Sequence, residues 1–461
     1  MRVRVAAAML GRTLSDAEDV LDDLVQANLL KRLADGGYRF HAFAAWYVRQ
    51  KADEELSHDD RGAAVRALVT CRLEWAVGLA RSLWPGRPWI GDVFTQVPPT
   101  YVGAEAHKAA AELEAEQANF RAAVGAAAQI GLAAECAYLG LALKQWFYET
   151  GQRNELVAMM ECAAEAAEEL NDLPLIIRMQ NELGTAYEAD GRFDDAVLAF
   201  HRSEMLAEQA RDVVAQVSAL AWKGIVEGQR GNMEHAMERL SEARAIAMSD
   251  AYDPALRPRM LALLHMHIGR TLESMRRYDE AVRESEAALN YFVDHAEPAN
   301  TFRSALTLND ALVALGRIRE ANTQLADTMA GVDDARFRTQ RLRAWQAMAN
   351  NHQALGELAD ALACLQRARE LSRDLGLVVR ELTIIVTLSE LHGELGNPEA
   401  ASDLMRNASE AAASLGAVAD RVVLLRSMAV AHDKLGDDNA AQTCRDAATT
   451  LERQINDGVI C

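Results

Sequence analysis

The stretch NELGTAYEADGRFDDAVLAFHRS, residues 181–203, decides how the chain is to be read. Leu183, Gly184 and Tyr187 fall on one side of a helical wheel, and Ala196, Phe200 and Ser203 recur at i, i+4 and i+7. That is the apolar stripe of two amphipathic helices. Gly191 lies between them, where a tight helix-to-helix turn needs a residue that tolerates positive φ. Asp194 and Asp195 follow it, and carboxylates favour the start of the next helix.

The same turn recurs along the chain. It reads ADGRFDDA at 189–196, QRGNMEHA at 229–236, MRRYDEA at 275–281 and LGRIREA at 315–321. It continues as LGELADA at 355–361, LGNPEAA at 395–401 and LGDDNAA at 435–441, and a weaker copy, TGQRNEL, precedes them at 150–156. Gly191, Gly231, Gly316, Gly356, Gly396 and Gly436 mark it; Arg276 stands in for glycine in one copy. The period is 40 residues except across the loop around Asp253-Pro254, which adds five. Breakers separate the units: NDLP at 171–174, RDV at 211–213, YDP at 252–254, EPAN at 297–300, VDD at 332–334, and LG at 375–376 and 415–416. One such unit cannot bury its apolar face alone, so the expected fold is an all-α stack of about eight helix-turn-helix units.

Composition agrees. Half of the 461 residues are apolar, aromatics are few, and only 9 prolines interrupt the chain, which suits closely packed helices. The formal net charge is −20, so a polyanion such as DNA or an acidic membrane surface would be repelled over most of the surface. Cys71, Cys136, Cys162, Cys364, Cys444 and Cys461 show no CxxC pair and no metal-ligand spacing, which reads as reduced thiols in a cytoplasmic protein. The most apolar run, residues 131–148, is interrupted by Glu135 and Lys144, and the apolar run after MRVR is too short for a signal peptide.

The repeated small-large-Gly pattern of the first helix, with alanine about twenty positions into the unit, resembles the tetratricopeptide repeat over residues 136–455. The resemblance implies a right-handed superhelix that binds protein or peptide. The period is six residues longer than the usual ~34, which lengthens the helices by about one and a half turns.

Residues 1–57 read as helix, helix, short hairpin and helix, with Ser15 a plausible N-cap before DAEDVLDDLVQANLL. LDDLVQANLL at 21–30, GYRFHAFAAWYVRQKA at 37–52 and AAAELEAEQANFRAAV at 109–124 resemble the winged helix and following linker of bacterial STAND/NB-ARC (SARP-type) regulators. In that family an NTPase precedes the winged helix. His41 fits the family's His-Asp pair, Ala42 does not, and no GxxxxGK[ST] phosphate loop occurs. The resemblance therefore implies a winged-helix remnant at 1–57, a helical linker with a Pro/aromatic loop (84–103) over 58–135, and the repeat superhelix at 136–461. It also implies an NTPase domain acting in trans, or a longer ATP-dependent transcriptional regulator of which this is the C-terminal part. No cofactor, metal or catalytic set is signalled. His352, His392 and His432 are one repeat apart, about 10 Å, so they pack rather than chelate, and His265 and His267 point to different sides of one helix.

The exposed face of each unit's first helix is the expected ligand surface. Counting it through the units gives Arg178, Asn181, Thr185 and Glu188; Arg270 and Glu273; Arg303 and Asp310; Arg343, Gln346, Asn350 and Gln353; Arg380 and Glu390; Arg426 and Asp433. Amides pair with a peptide backbone and guanidinium forks grip carboxylates, so Arg178, Asn181, Arg270, Arg303, Arg343, Gln346, Asn350, Gln353, Arg380 and Arg426 are the expected ligand contacts. The expected partner is a protein or peptide, with no nucleic acid and no membrane.

Overall fold

A computed structural model describes residues 1–332, 337–413, 415 and 417–456. The breakers Asp333, Asp334 and Gly416, and Cys461, lie outside the described residues. Two compact units divide the chain, Met1–Pro258 and Arg259–Cys461.

The first unit opens with α1 (Val3–Leu10), α2 (Leu14–Gln26), the strands β1 (Leu30–Arg32) and β2 (Tyr38–Phe40), and α3 (Ala42–Glu55). The strands pair antiparallel, Leu30 opposite Phe40 and Arg32 opposite Tyr38, close to the hairpin the sequence suggests. Ser15 is not the N-cap. Thr13 is: its hydroxyl accepts from the Asp16 amide at 3.2 Å and donates to the Asp16 carboxylate at 2.8 Å. That reciprocal pairing satisfies an orphan amide two residues upstream of the expected site.

Next come α4 (His58–Leu83), α5 (Asp92–Gln96), a 3₁₀ turn (Gly103–Glu105) and α6 (His107–Gln129). α1 and α6 both pack on α4, around Leu73, Leu79, Leu113 and Phe120. Arg72 and Glu116 form a buried pair at 2.6 Å, which Arg2 joins from the chain's start. Trp89 stacks on Phe94 at 4.6 Å, and buried Phe94 meets Tyr138 edge-on. The loop 84–103 thus buries Phe94 and packs Trp84, Trp89 and Tyr101, half-buried, against the core.

Eight antiparallel helix pairs follow among the described residues. The first unit holds α7 (Ala133–Glu149) with α8 (Arg153–Leu170), α9 (Leu173–Asp190) with α10 (Phe193–Ala210), and α11 (Val213–Gln229) with α12 (Met233–Met248). The remaining five pairs are α13 (Arg257–Ser274) with α14 (Tyr278–Asp294), α15 (Pro298–Ala314) with α16 (Ile318–Gly331), α17 (Arg338–Ala354) with α18 (Leu358–Asp374), α19 (Val378–Glu394) with α20 (Pro398–Ala413), and α21 (Val418–Lys434) with α22 (Asp438–Asn456). The six marker glycines, Gly151 of the weaker copy and Arg276 all have positive φ, Arg276 at 60°, where a side chain is strained and glycine would not be.

The glycine inside the first helix has a different reason. A Cβ on Gly184 would lie 2.5 Å from the ring of Phe200 on the partner helix. That missing atom lets α9 and α10 approach closely. Gly184→Ala should lower stability by about 1–3 kcal/mol, read from a urea melt, because the buried ring has nowhere to move. An unchanged midpoint would show that the pair is loosely packed. Among the described residues no helix is long and apolar enough to cross a membrane.

Candidate functional site

In the second unit the first helices α13, α15, α17, α19 and α21 alternate buried and exposed residues. On α15, Arg303 and Asp310 are exposed between buried Phe302, Ser304 and Asn309; on α17, Arg343 and Asn350 are exposed beside buried Leu342, Ala344 and Asn351. α15 packs directly on α17, and Asn351 donates its Nδ2 to Asn309 Oδ1 at 2.7 Å beneath the exposed row. This buried amide pair joins neighbouring repeats at a defined register. α17 and α19 are bridged above it, where Arg380 Nη1 donates to Gln346 Oε1 at 3.3 Å.

The row that results is electropositive. Partial burial, followed by the fields of Arg380, Arg270 and Arg303, pushes the Arg343 guanidinium below its ordinary value, while Asp310 opposes the shift. Arginine stays charged in proteins, so Arg343 keeps its cation here, in the field of three others. Two carboxylates share the neighbourhood. Burial raises both Asp310 and Glu273, and the charge of Asp310 raises Glu273 further. Beneath lies His267, which burial and the nearby Arg303 and Arg270 push down to about 3, so it is neutral at physiological pH. Among the described residues none of Arg270, Arg303, Arg343 and Arg380 has a carboxylate within salt-bridge distance, although most other arginines of the chain do. The Arg303 side chain donates a 3.2 Å hydrogen bond to Asn300 Oδ1.

At the Arg380 end the row meets a recess of about 450 Å³ lined by Gln346, Leu377, Val378, Val379, Arg380, Thr383 and Val423. Val378 and Val423 are 55% and 53% exposed, an apolar surface beside a cation. Nothing in the helical wheel announced this recess, since Val378 opens α19 and Val423 belongs to the following repeat.

Of the expected contacts, Arg270, Arg303, Arg343, Gln346 and Arg380 come together here, and Asn350 is exposed on the same helix as Arg343. Gln353 turns to Glu394 at 2.8 Å, and Arg426 is held at 2.7 Å by Glu452 of its own helix pair. In the first unit the expectation needs correction. Asn181 is buried, donating to Ser218 of α11 at 2.9 Å, and Arg178 is tied to Glu182 at 2.7 Å. α7 and α11 flank α9 on both sides, and the loop after α4 adds Arg87, so the face that looks exposed on a wheel is covered.

The same cover creates a polar cluster that the wheel did not reveal. Glu182, 6% exposed, receives Arg87 at 2.6 Å, Arg178 at 2.7 Å and Lys144 at 2.9 Å. The three cations outweigh burial and hold its carboxyl well below the usual range, whereas burial lowers Lys144 despite the pair. Lys144 interrupting the most apolar run was the one visible signal.

The one-repeat histidines each sit near the end of a first helix, partly buried. His352 Nδ1 is 2.8 Å from Glu357, and His432 is 3.8 Å from Asp437, while His392 Nδ1 has no hydrogen-bond partner among the described residues. Glu357 is also bridged to Arg319 at 2.9 Å, so the group His352, Glu357 and Asp360 already holds a cation of its own.

A solved STAND protein with a tetratricopeptide repeat sensor, from Pyrococcus horikoshii, superimposes on 100% of this chain and 62% of its own with a TM-score of 0.59 at 13% identity. The fold is a tetratricopeptide-type repeat array. In sequence, the regulatory protein AfsR of Streptomyces griseus is 27% identical over 291 residues, 61% of this chain and 30% of AfsR. AfsR of Streptomyces coelicolor (strain ATCC BAA-471 / A3(2) / M145) is 36% identical over 85 residues, 18% of this chain and 9% of that protein. The chain is homologous to these bacterial regulators and spans less than a third of their length. No family model matches it.

Proposed function

We propose that the second unit is a sensor surface that binds an acidic, extended segment of a protein or peptide across the first helices of its repeats. The observation that carries the reading is the set Arg270, Arg303, Arg343 and Arg380, none of which has a carboxylate within salt-bridge distance among the described residues, in a chain of net charge −20. Burying such donors without partners is costly, so they face solvent or a ligand's carboxylates. The recess at Val378 and Val423 offers an apolar side chain of the same segment a place beside Arg380. The homology to AfsR regulators supports a regulatory rather than a catalytic setting.

Replacing Arg343 and Arg380 by alanine should weaken an acidic peptide by about 1–3 kcal/mol each, measured by fluorescence anisotropy. Their melting temperatures should stay close to wild type, since neither holds a carboxylate. A sharp fall in melting temperature with binding spared would make them packing groups and sink the reading.

A second reading has its own support. α3 exposes Phe43, Trp46 and Tyr47 on the segment that resembles a winged helix, with Phe43 79% exposed. On this reading residues 1–57 are a winged-helix remnant whose aromatic face meets an NTPase domain, in the same polypeptide or in trans. Reading the DNA upstream of the coding sequence for an in-frame GxxxxGK[ST] loop tests it. A phosphate loop there favours one longer ATP-dependent regulator, and a stop codon excludes that form.

A further inference from the structure

We infer that Cys136 and Cys162 are a redox-sensitive pair, which hydrogen peroxide joins in a reversible disulfide that staples α7 to α8. Both belong to the first unit, and the pair owes nothing to the arginine row.

Cys136 Sγ lies 3.6 Å from Cys162 Sγ and 3.7 Å from the Cys162 carbonyl oxygen. A disulfide needs about 2.05 Å between its sulfurs and Cα atoms within about 7 Å of one another. The second condition depends on how near the two helices come, and beside these thiols they come very near. Gly140 follows Cys136 by one turn, and Ala163 is the residue after Cys162. A Cβ built on Gly140 would lie 2.5 Å from the Ala163 Cβ. A missing side chain on one helix thus meets a single methyl on the other, and the backbones draw together there. Rotation of the two cysteine side chains, with no shift of either helix, then brings the sulfurs to bonding distance.

The thiols also differ in the way a two-step oxidation needs. Cys136 is fully buried and Cys162 partly exposed, so Cys162 is the sulfur that peroxide reaches. Burial, then Cys162 itself and the carboxylates Glu169 and Glu165, holds the Cys136 thiol above its ordinary value, and this sulfur is the slower to react alone. Cys162 gives up its proton, and its sulfur attacks one peroxide oxygen. The O–O bond breaks, and the departing hydroxide takes up that proton as water and leaves a sulfenic acid. The Cys136 sulfur then attacks the sulfenic sulfur. An S–S bond forms, the S–O bond breaks, and the hydroxyl leaves as a second water with the Cys136 proton. Two thiols and one peroxide become one disulfide and two waters. Because the sulfurs are already in contact, this second step is intramolecular, which offsets the poor reactivity of a buried thiol.

The bond joins residues 26 apart, across the Gly151 turn. Closing that loop removes conformations from any opened form of the pair, so α7 and α8 should separate less readily once oxidised.

The test treats the full chain with equimolar hydrogen peroxide, blocks the remaining thiols with N-ethylmaleimide under denaturing conditions, and maps tryptic peptides by mass. Peptides 122–144 and 154–178 hold one cysteine each and no internal Lys or Arg. They should appear as one linked species, lighter than their sum by two hydrogens, in the single-chain band of a non-reducing gel. Dithiothreitol should separate them. Amide exchange across residues 133–170 should slow by about tenfold or more on oxidation. Cys162→Ala, which trims only a partly exposed side chain, should show neither the link nor the slowing. Recovery of both peptides with a maleimide on each would overturn the pairing. So would Cys162 stopping at the sulfinic or sulfonic acid, a link from either cysteine to Cys71, or a link found only between two chains. Linked peptides with unchanged amide exchange would overturn the staple.

Discussion

Glu182→Gln should destabilise the chain by roughly 3–5 kcal/mol, the usual penalty for removing one partner from a buried ion pair. The reason is the company it keeps. Arg87, Lys144 and Arg178 all close on this one carboxylate, and Lys144 and Arg87 are themselves nearly enclosed. Glutamine keeps the shape but leaves three cations facing one another in a poorly hydrated site. The converse change should be milder: Lys144→Met removes a buried charge and leaves Glu182 with two arginines. Adding Lys144→Met to Glu182→Gln should recover part of the loss, so the double-mutant cycle should show strong coupling. Because Arg87 belongs to the loop after α4, Glu182→Gln should also speed proteolysis within 84–103. The carboxyl's lowered pKa makes its contribution fully present above the ordinary carboxylate range and lost only as pH falls through the lowered value. The penalty should therefore be nearly constant between pH 6 and 8. A Glu182→Gln variant within about 1 kcal/mol of wild type would show that the cluster is hydrated and weak.

Acidification from pH 7 to 5 should cost the second unit roughly 2 kcal/mol through His267 alone. Its folded pKa is pushed down to about 3, against about 6.5 for an unhindered imidazole. The sign follows directly. Between those two values the unfolded chain takes up a proton that the folded chain refuses. The contribution to stability is complete above pH 6.5 and falls by at most about 1.4 kcal/mol per unit below it. Burial is the main cause and the cations Arg303 and Arg270 add to it, so an imidazolium there would meet both low polarity and like charge. His267→Gln should flatten the acid side of the stability curve relative to wild type, read as urea midpoints at half-unit intervals of pH. Parallel curves for the two proteins would mean that His267 gains its proton in the folded state and is not enclosed.

How much of this was legible beforehand differs between levels of structure. The repeat was. Eight turn signatures predicted eight helix-to-helix turns, and each marker residue has the left-handed backbone such a turn requires. This is local physics: a glycine's freedom and an amphipathic stripe act over a few residues and leave their mark in order along the chain. The arginine row was legible in part, because equivalent positions one period apart, such as Arg303 and Arg343, fall on adjacent helices by construction of the stack. Its charge balance was not, because the wheel does not show which arginines find a carboxylate. Arg426 found Glu452 on the following helix and Arg178 found Glu182, while Arg343 found none among the described residues.

The sequence by itself determined the helices, their phase and the residues offered on each first-helix face. Only the tertiary structure decided which of those faces stayed open. Asn181 and Asn350 both looked exposed in the repeat pattern, yet Asn181 is buried against α11 and Asn350 is exposed. The difference is made by groups far away in sequence: Arg87, 95 residues before Glu182, and Ser218, 37 residues after Asn181. Periodicity encodes the side of a helix on which a residue lies. Burial depends on what else reaches that side, and that is a sum over contacts no local pattern contains.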